Sequence, residues 1–240
     1  MQTMKKPSWK PALGTFSKAT EGAISLNFSE SGGVNCSTKC EALKKGVCYA
    51  VHTEKMKPSI QVSGQRKREV GFANLCRAYK AQIQKRVVKG EMIPWIRFST
   101  FGSVPNRKLA PAELEAFADM VQSFPAGVPV HFPVETREKA DRFRAIAVAF
   151  NLPIVIRESC QSDARMRSKD NTGQSSRIVF KGETKRERLE NAKAMAKQLP
   201  DARVCPAIAS TILRRPKPTK CGQCTLCAQA GIKTILYPQH

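Results

Sequence analysis

Several features are scarce or missing in the 240-residue sequence, and each absence narrows what the protein can be. No run of 18 or more apolar residues occurs, and no apolar segment follows Met1. We therefore expect a cytoplasmic chain with no membrane partner, since no helix shows the segregation of basic and aromatic residues that interfacial binding favours. Acidic residues are few, with 19 Asp and Glu against 41 Lys and Arg. Aromatic residues make up only 7%, too few to locate base-stacking platforms.

The nine cysteines do not fit a disulfide-stapled fold, because their number is odd and no secretory signal is visible. Three of them fall within KCGQCTLC, residues 220–227, and cysteines this close together have poor geometry for bridging one another. In a reducing cytosol such thiols are kept for metal binding or for chemistry. A metal is the interpretation that remains for this group.

The spacing of the group, Cys-x2-Cys-x2-Cys, is that of a cysteine run wrapping one corner of an iron–sulfur cube. A fourth ligand commonly lies at a distance and is often followed by proline, as Cys205 is by Pro206. Residues 214–220, RRPKPTK, form a loop that can fold back between the two parts. The predicted ligands of a [4Fe–4S] cluster are therefore Cys205, Cys221, Cys224 and Cys227. A zinc knuckle with the same ligands is the alternative.

A second group of three cysteines, Cys36, Cys40 and Cys48, lies near the amino end of the chain. A cubane held by three thiolates leaves one iron open to an exogenous ligand, such as the amino and carboxylate groups of S-adenosylmethionine. A fourth protein ligand is also possible, with His52 or Cys160 as candidates. Cys76 fits a small buried hydrophobic residue better than a ligand.

Strands and helices are predicted to alternate along the chain, as in βαβ units. Short strands are predicted at residues 23–28, 93–99, 128–134, 152–159, 176–180 and 232–238. Helices are predicted at residues 66–88, from Pro111, from a cap at Thr136, and from a Thr184–Glu187 capping box to about residue 199. Pro129 and Pro133 predict that their strand lies near a sheet edge or a bulge.

Right-handed crossovers between such strands build a parallel sheet. The predicted fold class is α/β, a partial (β/α) barrel over residues 1–204. Residues 205–240 are predicted to be a cluster-binding segment packed on the same domain. Chemistry in such folds gathers at the carboxyl ends of the strands. We expect residues 99–103, 135–136 and 157–159 to converge there with the first cysteine loop.

The formal net charge of +22 predicts an anionic partner, most simply a nucleic acid backbone. The basic residues are spread along the chain, so the folded body itself should be basic. No base-reading motif is visible, which favours contacts to phosphate or to nucleic acid shape over base readout. The predicted nucleic-acid contacts are Arg66, Lys67, Arg68, Arg165, Arg167, Lys169, Lys185, Arg186, Arg214, Arg215 and Lys217.

These motifs resemble a known superfamily. A three-cysteine loop after a first strand, ending in Cys48-Tyr49-Ala50 and followed by a partial β/α barrel, is similar to the radical S-adenosylmethionine superfamily. More narrowly, the chain resembles the gene product 88 family of phages and plasmids. The matching segments are the cysteine loop, WIRFSTFGS at residues 95–103, Cys205-Pro206, CGQCTLC and the terminal His240.

The resemblance implies iron–sulfur ligation and favours DNA over RNA as the partner. Two departures stand beside it: the second cysteine gap is x7 where these enzymes usually have x2, and the acidic, glycine-rich motif after the second strand is missing. Glu135 or Glu158, with Ser159, would then have to bind S-adenosylmethionine.

Three functions are compatible with these expectations. The first is an iron–sulfur protein of radical-enzyme ancestry that binds nucleic acid without turning over S-adenosylmethionine. The second is an active radical enzyme that modifies a nucleic acid or a protein. The third is a zinc-stabilised nucleic-acid-binding module with no redox role. The sequence leaves open whether the protein is an enzyme, and it identifies no catalytic residue.

Overall fold

Strands and helices alternate through the part of the chain that the structure describes. The structure is a computed structural model, and it describes residues 14–15, 23–28, 56–98, 104–105, 107–160, 166, 173–219 and 224–238. The strands are β1 (Gly14–Thr15), β2 (Ala23–Leu26), β3 (Trp95–Phe98), β4 (Val130–Val134), β5 (Val155–Ser159), β6 (Ser175–Val179), β7 (Ala202–Val204) and β8 (Thr234–Pro238). The helices are α1 (Pro58–Val70), α2 (Phe72–Val88), α3 (Pro111–Gln122), α4 (Arg137–Ala149), α5 (Lys185–Gln198) and α6 (Pro206–Ile212). A short 3₁₀ helix covers Leu226–Ala228.

The eight strands form one sheet in the order β1-β2-β3-β4-β5-β6-β8-β7. β1 is antiparallel to β2, whereas the other seven strands run parallel. Parallel neighbours need crossover connections, and helices supply several of them here. The predicted α/β class with a parallel sheet is confirmed. β8 lies between β6 and β7, so residues from the C-terminal segment are built into the sheet.

One side of the sheet, called the outer face here, carries the main apolar core. Side chains alternate between the faces of a strand, so Phe98 of β3 and Phe132 of β4 point the same way, with ring centroids 4.6 Å apart. Phe117 of α3 and Phe143 of α4 pack on Phe132 at 6.0 and 4.8 Å. On the same face, α5 packs on β6 and β8, where Ala192 joins a buried cluster with Val179 and Leu236.

The opposite side, called the inner face, is polar along several strands. Arg97 and His131 are paired across β3 and β4, and Arg157 lies on β5 next to them. This face is covered by α6 and by the turn around the 3₁₀ helix, where Cys205, Ile235 and Leu226 belong to one small apolar cluster. The sheet therefore separates an apolar layer from a layer that contains arginine, histidine and cysteine.

The two helix starts predicted from caps are confirmed. The Thr136 Oγ1 atom accepts a hydrogen bond from the Lys139 N–H at 3.3 Å, and α4 follows. At the start of α5 the Glu187 N–H donates to Thr184 Oγ1 at 3.1 Å, and the Thr184 N–H donates to Glu187 Oε2 at 3.4 Å. Both caps satisfy backbone donors that have no partner within the helix.

The helix predicted at residues 66–88 is wrong in its extent. The helical segment begins at Pro58 and is divided at Gly71, whose φ of +77° lies in the left-handed region. This conformation costs glycine little, and Gly71 is the single residue between the end of α1 and the start of α2. The short elements β1, β7 and α6 were not predicted, because two to seven residues carry too little periodicity.

The predicted edge position of the strand with two prolines is also wrong. β4 lies inside the sheet, between β3 and β5. The β3–β4 ladder consists of the pairs at Val130 and His131 and ends before Pro133. The Pro129 carbonyl, just before the strand, still accepts from the Ile96 N–H at 2.9 Å. A proline is tolerated in this interior strand because it lies beyond the last pair on one side.

Among the described residues, no helix has the length and apolar character that a membrane crossing requires.

The start of α3 supplies a first testable prediction. Glu113 accepts from both terminal nitrogens of Arg107 at 2.6 Å and from the Ala110 N–H at 2.9 Å. The hydrogen bond from Arg107, followed by that from Ala110, lowers the pKa of Glu113 despite some burial. We expect Glu113→Ala to lower the free energy of unfolding by about 1 kcal/mol at pH 7, measured by urea unfolding.

Because the pKa of Glu113 is lowered in the folded state, its contribution is present above the unfolded value of about 4.3 and is lost as the pH falls through the folded value. The difference between the wild type and Glu113→Ala should therefore shrink in acid. Glu115→Ala is the matched control, since Glu115 is exposed on the same helix. Equal losses in the two variants would contradict the assignment.

Candidate metal centre

Three of the four cysteines predicted to bind a cluster line one cleft on the inner face. The cleft is partly open to solvent, and about 330 Å³ of space, open solvent included, lies between its walls. Its walls are formed by Trp95, Cys205, Pro206, Ala207, Cys224, Thr225, Leu226, Cys227 and Ile235. The fourth predicted ligand, Cys221, lies outside the described residues, as do Cys36, Cys40 and Cys48 of the first group.

Cys205 is held between a strand and a helix. Its N–H donates to the Leu236 carbonyl of β8 at 2.8 Å, and its carbonyl accepts from the Ala209 N–H at 3.0 Å. Pro206 occupies the first helical position of α6, where the missing N–H has no intrahelical partner to lose. The Cys-Pro pair noted in the sequence therefore marks a helix start that faces the cleft.

The turn that carries Cys224 and Cys227 is anchored by a buried arginine. Thr225 has a left-handed φ of +48°, and the Ala228 N–H closes the turn by donating to the Thr225 carbonyl at 2.8 Å. The Arg157 guanidinium reaches this turn from β5. Its Nε donates to the Cys227 carbonyl at 2.7 Å, and its Nη2 donates to the Gln229 carbonyl at 2.8 Å. The cysteine turn is thus fixed by its backbone.

The remaining donors of Arg157 bind the sheet side of the same junction. Its Nη1 donates to the carbonyls of Ser175 at 3.4 Å and Lys233 at 3.3 Å. Arg157 is 0% exposed, and burial lowers its pKa from the ordinary arginine value. Every hydrogen bond just named ends on a neutral carbonyl, so the positive charge of the side chain has no carboxylate in this set of partners.

The loop between the two ligand-bearing segments folds back on α6, as the sequence suggested. The Arg215 N–H donates to the Ser210 carbonyl and the Thr219 N–H donates to Ser210 Oγ, both at 3.0 Å. Ser210 is itself buried. These bonds hold residues 214–219 next to the helix that begins at Cys205.

Tyr237 places a phenol beside the cysteines. Its Oη lies 3.0 Å from Cys227 Sγ. Burial raises its pKa well above the ordinary tyrosine value, and the nearby Cys227 and Cys205 raise it further. Burial likewise raises the pKa of the Cys224 thiol. Desolvation therefore disfavours the charged forms of Tyr237 and Cys224.

The residues predicted to bind S-adenosylmethionine lie elsewhere. Glu135 accepts from Lys139 Nζ at 2.6 Å, and this lysine is only 1% exposed. Glu158 is buried on β5, and strand alternation places it on the face opposite Arg157. Ser159 shares the face of Arg157. None of the three lines the cleft, and residues 99–103 lie outside the described part of the chain.

Cys76 and Cys160 lie in apolar clusters, and His131 is buried. Cys76 is 0% exposed in α2 within the outer core, and burial raises its pKa, which confirms the expected small hydrophobic role. Cys160 is buried with Met166 and Val179. His131 is 2% exposed on the inner face, and both ring nitrogens have no hydrogen-bond partner in the described structure.

Three residues that matter most to the cleft were missed. In the sequence analysis Arg157 belongs only to a polar strand end, while Trp95 and Tyr237 are only members of predicted strands. The sequence does contain a signal for Arg157, because it is the single basic residue in the strand segment IVIRES, residues 154–159. Its partners are 69 to 72 residues away at the cysteine turn, and sequence alone does not show them.

Most of the predicted nucleic-acid contacts that the structure describes are on the surface. Arg66, Arg68, Lys185, Arg186, Arg214, Arg215 and Lys217 are exposed, and Lys67 is half-buried. Arg165, Arg167 and Lys169 lie outside the described residues. The last three exposed residues form a basic loop that follows α6 and leads toward Cys224.

In the described ranges, no three Cys, His, Asp or Glu side chains stand close enough to hold a single metal ion. Cys221, the fourth predicted ligand, is not among these residues. Comparison with known proteins adds no assignment. No family model matches the chain, and no curated protein and no solved structure matches it.

Arg157 supplies the second prediction. Arg157→Met removes a buried cation whose donors bind carbonyls of the cysteine turn, leaving those carbonyls without partners. We expect a loss of about 3 kcal/mol in the free energy of unfolding and faster amide hydrogen exchange across residues 224–233. The exposed Arg186→Met is the control and should change stability by less than about 0.5 kcal/mol. Unchanged exchange in Arg157→Met would contradict the anchoring role.

Proposed function

We propose that the protein is an iron–sulfur protein that binds nucleic acid, DNA in preference to RNA, through its basic surface. In this proposal the parallel sheet is a partial (β/α) barrel of radical-enzyme ancestry, and Cys205, Cys221, Cys224 and Cys227 bind a [4Fe–4S] cluster. One observation carries the proposal: Cys205, Cys224 and Cys227, from two separate segments, line the same cleft.

The donor set fits such a group in its chemistry. Thiolates are the ligands that iron–sulfur clusters use, and four of them around a cluster carry net negative charge. The inner face supplies the opposite charge through Arg157 and Arg97. The charges of both arginines act on the buried His131, and that of Arg97 also acts on the buried Tyr237. Neither α6 nor residues 224–232 contain an acidic residue. A buried cation needs a partner of opposite sign, and a thiolate-bound metal group would supply one.

When bound, a cluster of this kind supplies one-electron redox chemistry, and the protein sets its potential through hydrogen bonds and burial. The chain's own contribution is to hold the ligands in place. Arg157 fixes the turn of Cys224 and Cys227, while β8 and α6 fix Cys205. The side chains around the ligands in the cleft are mostly apolar.

The nucleic-acid part of the proposal is supported by charge and exposure. The formal charge is +22, and the basic loop at Arg214, Arg215 and Lys217 is exposed beside the helix that starts at Cys205. None of these three residues makes an ion pair within the described structure, so their charges are available to phosphate. Contacts of this kind do not read sequence by themselves.

The third prediction tests the cluster. Cys205→Ala and Cys224→Ala, purified anaerobically, should each lose one cluster's content of iron and acid-labile sulfide relative to the wild type, because a missing thiolate exposes one iron corner. Cys76→Ala is the matched control, as Cys76 is buried in the outer core. Its iron content should equal that of the wild type. A colourless wild-type protein with stoichiometric zinc would overturn the iron–sulfur assignment and support the zinc-stabilised module instead.

The fourth prediction tests the basic loop. The triple variant Arg214→Ala, Arg215→Ala, Lys217→Ala should bind a fluorescent 20-base-pair DNA duplex at least 10-fold more weakly at 50 mM salt. The slope of log affinity against log salt should become shallower by about 2 to 3, since each lost phosphate contact removes about 0.9.

The control for this triple removes the same charge from exposed lysines elsewhere, Lys85→Ala, Lys89→Ala and Lys197→Ala. An equal loss in both triples would show that net charge, and not the loop, carries binding. Salt-independent binding by the wild type, or none at 50 mM salt to duplex or single-stranded DNA or RNA, would contradict the nucleic-acid proposal itself. An arm with single-stranded RNA of the same sequence tests the preference for DNA.

A further inference from the structure

Trp95, one of the residues that line the cysteine cleft, carries an unpaired indole donor. Trp95 begins β3, is 2% exposed and lines the cleft together with Cys205, Cys224 and Cys227. Its Nε1–H is buried and has no acceptor among the described residues. Buried indole N–H groups normally have a hydrogen-bond partner, because leaving one unpaired costs about 1 to 3 kcal/mol.

The cleft offers this donor few acceptors of its own. Apart from the cysteines and Thr225, its wall is made of apolar side chains. The acceptor atom that several wall side chains have in common is the sulfur of the three cysteines. An iron–sulfur cluster bound by these cysteines would add inorganic sulfide to their thiolate sulfur in the same space. The unpaired donor and the thiols are thus two independent features that point to one kind of ligand.

His131 is in ring contact with the indole, and arginines lie near that histidine on the inner face. The ring of His131 lies nearly parallel to the indole, with centroids 6.4 Å apart and planes inclined by 25°. Arg97 is paired with His131 across β3 and β4, and its Nε is also buried without a partner in the described structure. Burial, and then the charges of Arg97 and Arg157, lower the pKa of His131, so the imidazole is neutral at pH 7 and leaves the charge on the arginines.

We propose that Trp95 donates its indole N–H to a sulfur atom of the cluster held in the cleft and that this hydrogen bond makes the cluster easier to reduce. The inference rests on the proposed function, since it needs the cluster to be present. A donor to sulfur stabilises the reduced, more negative form more than the oxidised form. Trp95 is therefore a residue that sets the potential of the cluster and not one of its ligands.

The experiment compares reduction potentials in anaerobic protein, measured by redox titration with electron paramagnetic resonance detection. Trp95→Phe removes the N–H and keeps an aromatic ring. Incorporation of 3-benzothienylalanine at position 95 removes the N–H and keeps nearly the whole shape, so it decides the question if the phenylalanine variant loses the cluster. Both changes should move the potential to more negative values. Ile235→Val, a small packing change in the same cleft, is the control and should leave the potential unchanged.

A second readout observes the hydrogen bond directly. Electron–nuclear double resonance on the reduced wild-type protein should show a coupled proton that disappears after exchange into D₂O, and this signal should be missing from the Trp95 variants. A cluster with the same potential and the same exchangeable coupling in wild type and benzothienylalanine protein would overturn the inference and leave the proposed function intact. Absence of iron and sulfide from the wild type would instead overturn the proposed function.

Discussion

The buried guanidinium of Arg157 is the contact on which the arrangement of the inner face depends. One side chain on β5 donates to carbonyls of β6, of the residue before β8 and of the cysteine turn, which lie 18 to 76 residues away in the chain. The planar fork of arginine can meet several acceptors at once, which a lysine cannot do in the same geometry. Because the bonds end on backbone carbonyls, they fix the path of the turn whatever side chains it carries. The position of Cys224 and Cys227 relative to the sheet follows from this contact.

The two faces of the sheet differ in role: the outer face carries the apolar core, and the inner face carries the polar residues of the candidate site. On the outer face, Phe98, Phe117, Phe132 and Phe143 form a continuous aromatic cluster, and such burial is the main favourable term in folding. The inner face gives up part of that stabilisation, since Arg97, His131 and Arg157 occupy positions that apolar residues would otherwise fill. A strand alternates its side chains with period two, so one short sequence serves both layers. The stable outer layer can hold costly polar groups in place within the inner layer.

The features that the sequence predicted well depend on residues close together in the chain, and those it missed depend on residues far apart in the chain. Thr184 and Glu187 lie three residues apart, so their reciprocal cap was visible as a pattern and is present. The six predicted strands were visible because each lies in a short, largely apolar run between turn residues. By contrast, Pro133 argued for an edge, yet the position is tolerated because the ladder on one side ends before it. The partnership of Arg157 with the cysteine turn spans about 70 residues and has no local signature. Cys205 lies between these cases, since the Cys-Pro pair was visible but its place beside Cys224 depends on β7, β8 and α6 together.

The cleft and the basic loop share one stretch of chain, and this has a thermodynamic consequence for the proposed function. Residues 206–223 join Cys205 to Cys224, and Arg214, Arg215 and Lys217 lie within them. The described hydrogen bonds from that loop to α6 end on Ser210 and Thr211. Fixing both ends of a loop at one centre reduces the conformational freedom that phosphate binding would otherwise have to remove. Linkage is reciprocal. If the cluster orders the loop and nucleic acid binding orders it too, each would favour the binding of the other. The proposed cluster site and the proposed phosphate contacts therefore belong to one cooperative unit and not to two independent ones.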